Sequence, residues 1–154
     1  MLSACNPLIL VVLSGIGFFF GILALLSYLK VSRGFCELGR IFRCEDVYFV
    51  PDKYAKPLGI HLSVWAPLYF SVMLVISVLN ALYGGFFTHL MLAGWLLGAL
   101  MVPYLVYVEL KIARSLCLYC TIMHVIILAC LALTLYCDMC GEEWSREHPF
   151  IYLG

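Results

Sequence analysis

The chain has 154 residues, 65% of them hydrophobic and 12% charged, with a mean hydropathy of +1.06, which identifies an integral membrane protein. Nine Lys and Arg balance nine Asp and Glu and no basic run occurs, so a nucleic-acid partner has no electrostatic support. At about 20 apolar residues per span, this length accommodates roughly four helices, which predicts one all-α integral membrane domain over residues 1–154 with no attached soluble module.

Four apolar stretches follow in chain order, over residues 7–29, 58–80, 86–108 and 116–136, each long enough to cross a bilayer as a helix. The first is too long for a signal-peptide core, lacks a basic residue ahead of it and is followed by no small-residue cleavage pattern, so it reads as a span. Gly15, Gly17 and Gly21, then Gly94 and Gly98, recur at helical spacing, which predicts close helix packing. Gly84-Gly85 predicts a tight link between the second and third spans. The connection from Lys30 to Pro57 is long, polar and bears two cysteines, and loops of this length in compact proteins are usually functional. An even number of spans places both chain ends on one face and the first and third connections on the other.

The eight cysteines divide accordingly. Cys36 and Cys44 lie in the long loop, and Cys117 and Cys120 open the fourth span on the same face. Cys5, Cys137 and Cys140 belong to the opposite face, where a structural bridge or free thiols are expected, and Cys130 reads as a small buried core residue. Ser115 is the expected N-cap of the fourth helix, with Cys117 in the first turn, where the helix dipole and Lys111 and Arg114 favour a thiolate. Cys120 lies roughly 4.5 Å deeper at about 1.5 Å per residue, so one sulfur meets water and the other a lipid-dissolved species. A four-thiolate zinc site is the competing reading. The seven residues between Cys36 and Cys44 are wide for a zinc knuckle, and a dication at the depth of Cys120 is costly, so a redox relay between two dithiols is favoured.

Three features together carry a resemblance: the Cys36-x7-Cys44 pair in the first loop, the segment Tyr54-Ala55-Lys56-Pro57-Leu58-Gly59-Ile60 leading into the second span, and Cys117-x-x-Cys120 opening the fourth. The chain resembles the vitamin K epoxide reductase family, in particular its prokaryotic disulfide-forming branch. Other four-span, quinone-coupled thiol oxidants carry Cys-x-x-Cys in the first loop, the reverse of the order here.

The resemblance implies a four-transmembrane-helix bundle around a quinone such as menaquinone or ubiquinone, with the cysteine-bearing loop capping the quinone pocket. It further implies that Cys36 and Cys44 exchange with a separate thioredoxin-like protein, and that Cys117 and Cys120 form the pair beside the quinone. Within that frame His124, four residues after Cys120 and on the same helix face, is the leading candidate for a ring contact. His61, where the family has Pro, is a candidate donor to a quinone carbonyl, Trp65 and Tyr69 continue its helix face, and Asp52 stands where prokaryotic relatives carry Ser. Glu109 reads as an interfacial charge. The alternatives are vitamin K quinone or epoxide reduction and, from a different class, a zinc-binding or structural membrane scaffold.

Lys30, Arg33, Arg40, Arg43, Lys53, Lys56, Lys111 and Arg114 all fall on the cysteine-bearing face, against Arg146 alone on the other. The positive-inside rule therefore predicts active cysteines on the cytoplasmic side of the cell membrane. That is opposite to most prokaryotic relatives and fits an inverted, archaeal type of member making intracellular disulfides. An extracytoplasmic face, with the cations serving partner docking, is the alternative.

Overall fold

A computed structural model describes residues 6–29, 51, 54, 61–83 and 86–139. Four helices, each long and apolar enough to span a membrane, form an all-α bundle: α1 (Pro7–Tyr28), α2 (Leu62–Leu82), α3 (Thr88–Tyr107) and α4 (Leu118–Met139). A π-helical turn, Val108–Ala113, prolongs α3.

The first two helices begin where the sequence supplies a side-chain partner for an unpaired backbone N–H. Asn6 caps α1 by accepting from the Leu8 N–H at 3.0 Å, with Pro7 at the first helical position. His61 caps α2, its Nδ1 accepting from the Ser63 N–H at 3.2 Å. The second helix thus starts four residues later than the apolar run beginning at Leu58 predicts.

Packing between α1 and α2 depends on missing side chains. A Cβ at Gly21 would lie 3.0 Å from the backbone of Pro67, and one at Gly17 would overlap the Phe70 ring. These two glycines therefore set the close approach expected of them, whereas a Cβ at Gly15 would meet nothing within 4 Å. Pro67 lies inside α2 and removes one helical N–H donor, an interruption that spanning helices tolerate when neighbours pack against it.

Phe70, Met73, Met91 and Trp95 form the centre of the bundle, and many Leu and Val side chains on the outer faces are exposed, as lipid-facing positions require. Polar side chains cross the interfaces in pairs: Ser14 Oγ lies 3.2 Å from Ser77 Oγ, and Thr88 Oγ1 donates to Asn80 Oδ1 at 3.2 Å. Cys130 is buried in this core, as its mid-helix position predicts, and Cys137 near the end of α4 is disulfide-bonded. Cys5 and Cys140 lie outside the described residues.

Candidate functional site

The end of α1, the start of α2, the π-turn after α3 and the start of α4 meet at one end of the bundle. The Tyr28 and His61 rings stack there at 3.9 Å, so both anchors of the long loop are held together. Tyr54, from within that loop, packs against Val108, as do Ile112 and Ala113. Topology alone predicts that the loop and the Cys117–Cys120 pair share a face, and these contacts agree. Cys36, Cys44 and Asp52 themselves fall outside the described residues, as does the loop's role as a cap.

A cavity of about 250 Å³ opens between α2, α3 and α4. Its wall is mainly apolar, with Phe70, Leu97, Met101, Met123 and Ile127 among the contributors. The polar contributors are few and chemically specific: His61, Trp65, Glu109, Cys120 and His124, with Tyr54 and Tyr69. Mostly apolar walls with a few convergent polar groups are the usual form of a small-molecule site. Tyr69 is anchored through its hydroxyl, which donates to the Gly94 carbonyl at 2.9 Å. The Trp65 Nε1–H is buried with no hydrogen-bond partner among the described residues. Three of the expected ring contacts, His61, Trp65 and His124, are thus brought to one cavity.

Cys120 lines that cavity, whereas Cys117 is fully buried at 0% exposure and is absent from the wall. Both are in the thiol form at the head of α4. Helix α4 begins at Leu118, and the Cys117 carbonyl accepts the first helical bond from the Thr121 N–H at 2.9 Å. Cys117 therefore occupies the capping position itself. Ser115, the expected cap, instead directs its hydroxyl to the Ala113 carbonyl at 3.4 Å. Lys111 and Arg114 are exposed, so the predicted cationic flank of Cys117 is turned to the outside of the bundle.

The polar group that does meet Cys117 is one the sequence reading assigned elsewhere. Glu109 is 3% exposed, and its Oε2 accepts the Cys117 backbone N–H at 3.2 Å. Its placement follows from the π-turn, whose i to i+5 bonding widens the helix and shifts side-chain register. Arg114 closes the turn in the left-handed region at φ 54°, and the Ser115 N–H returns to the Glu109 carbonyl at 3.2 Å. The signal available in the sequence was an acidic residue within reach of an apolar span, which in membranes is by default a functional candidate.

A model of the vitamin K epoxide reductase family matches residues 8–135, which includes all four helices apart from their outermost residues. No curated protein matches the chain.

Proposed function

Since the chain belongs to the vitamin K epoxide reductase family, whose members are membrane thiol and quinone oxidoreductases, we propose that it oxidises dithiols of a separate thioredoxin-like protein and passes the electrons to a membrane quinone, so supporting disulfide formation. In this reading a partner thiolate attacks the Cys36–Cys44 disulfide, and the freed Cys44 then exchanges with Cys117. Two electrons and two protons leave the partner dithiol and arrive at the Cys117–Cys120 pair.

The observation that carries this reading is the unequal placement of the two sulfurs. Cys120 stands in the wall of an apolar cavity, and Cys117 is held behind it at the end of the bundle where the loop's anchors meet. The cavity residues fit a quinone ring: an apolar lining, the Trp65 Nε1–H, without a partner among the described residues, as a donor for a carbonyl oxygen, and His124 and His61 in the same wall. A bound quinone supplies a two-electron acceptor. The protein's residues exclude water, orient the ring and present a sulfur to it.

The bias of Lys and Arg supports a cytoplasmic position for the active end. Labelling intact cells with a membrane-impermeant thiol reagent tests this, because prompt modification of reduced Cys36 or Cys44 from outside contradicts it.

The redox reading itself is tested by reducing the purified protein, removing the reductant and adding a quinone. Two disulfides return if the relay exists; a zinc-binding or structural scaffold regains neither. Offering a quinone epoxide to the reduced protein separates disulfide formation from vitamin recycling. Trapping of mixed disulfides with Cys36→Ser and Cys44→Ser identifies the protein partner.

A further inference from the structure

Oxidation of a buried dithiol releases two protons, and the two sulfurs here have unequal routes for them. Cys120 lines the cavity; Cys117 is fully buried and does not. Glu109 spans the gap, since its carboxyl group accepts the Cys117 backbone N–H at 3.2 Å and the same side chain forms part of the cavity wall beside Cys120.

Accepting one backbone N–H at the head of α4 does not by itself call for an ionisable group, since an amide oxygen accepts as well. Glu109 is 3% exposed at the end of a membrane-spanning helix, and burying an ionisable group is unfavourable wherever water or an ion pair is not supplied. Among the neighbouring charged groups, Lys111 and Arg114 are exposed and directed away from the bundle interior. Among the described residues, the titratable groups that share the cavity wall with Glu109 are Cys120 and His124 from α4, with Tyr54, Tyr69 and His61, and the carboxyl group itself meets the Cys117 backbone N–H. The π-turn that brings Glu109 inward is itself a departure from regular helix of the kind that accumulates at functional positions.

We propose that Glu109 is the proton-transfer group of the Cys117–Cys120 pair, taking the Cys117 thiol proton as the disulfide forms and delivering it to the cavity. The proposal rests on the redox reading above. In the net step two S–H bonds break and one S–S bond forms. The electron pair passes to a quinone in the cavity, and two O–H bonds form on its oxygens. One proton comes directly from Cys120, which lines the cavity, and the other travels by way of Glu109, which ends the step in the state in which it began.

The test uses the full-length protein in detergent, reduced with dithiothreitol and freed of it, and compares wild type with Glu109→Gln and Glu109→Asp. Glutamine still accepts the Cys117 N–H, so the local fold is retained, but it cannot carry a proton. With menadione as the acceptor, Glu109→Gln is expected to slow single-turnover loss of the Cys117 and Cys120 thiols by about 100-fold, the lower range for a lost acid–base group, and Glu109→Asp to fall between. Without quinone, oxidation of the reduced pair by diamide is expected to be slowed in Glu109→Gln as well, since the Cys117 proton must still leave. Wild-type rates in Glu109→Gln, with menadione or with diamide, would overturn the assignment and leave the relay standing. Wild-type thiols inert to menadione would overturn both.

Discussion

The Tyr28 and His61 rings stack at 3.9 Å with an angle of 13° between their planes, closing the two ends of the long loop upon each other. His61 has a second task, because its Nδ1 caps α2 through the Ser63 N–H. His61→Ala removes both, and loss of a cap alone costs about 1 kcal/mol. We expect a lower thermal midpoint together with slower exchange between the loop cysteines and Cys117. His61→Asn keeps a capping side chain and loses the ring; full recovery of the midpoint with exchange still slow assigns the second effect to the stack. Exchange at the wild-type rate in both variants removes the clamp from the account.

The unequal burial of Cys117 and Cys120 predicts unequal variants. Each Ser substitution abolishes thiol-dependent quinone reduction. Cys120→Ser is expected to accumulate a mixed disulfide between Cys117 and Cys44, since the sulfur that would resolve it is missing. Cys117→Ser accumulates none at that site. Peptide mapping under non-reducing conditions reads the difference, and a Cys44–Cys120 adduct as the main product would reverse the proposed order.

Trp65 presents a buried indole N–H at the cavity without a partner among the described residues. Trp65→Phe preserves most of the ring and deletes that donor. One hydrogen bond of roughly 1 kcal/mol corresponds to a rise of about five- to tenfold in the KM for quinone. The rate of reduction of the protein by dithiothreitol should stay the same. An unchanged KM leaves the indole as packing only.

Replacing Gly21 with Leu forces α1 and α2 apart, because a Cβ there already lies 3.0 Å from the Pro67 backbone. Overpacking of this kind destabilises by about 1–3 kcal/mol. Gly15→Ala is the control: with nothing within 4 Å, its thermal midpoint should match wild type. Equal losses in the two variants would contradict the special role of Gly21 at the interface, since Ala and Leu are both better helix formers than Gly.

Hydropathy made the four spans legible, since a continuous apolar run in a bilayer has little choice but to form a helix. The family resemblance read on Cys36, Cys44, Cys117 and Cys120 agrees with the match over residues 8–135. What escaped was local backbone geometry. His61 was read at the head of a span beginning at Leu58 and proves to be the cap of a helix beginning at Leu62. Ser115 looked like a cap and is bypassed, because the π-turn and the left-handed Arg114 occupy the residues that would have begun α4. Glu109 was read as an interfacial charge from its position near the end of the third span, where Lys111 and Arg114 follow it in sequence. Their side chains diverge in space, and no periodicity argument that assumes 3.6 residues per turn can anticipate this.

The complete enclosure of Cys117 gives the proposed electron path a form of insulation. Glutathione and other small soluble reductants have no exposed sulfur at that position to collide with, so they cannot drain oxidising equivalents from the membrane pool by a direct short circuit. In the proposed relay, delivery is then restricted to a tethered donor that can reach inside, and selectivity for a protein client falls to the loop's own cysteines.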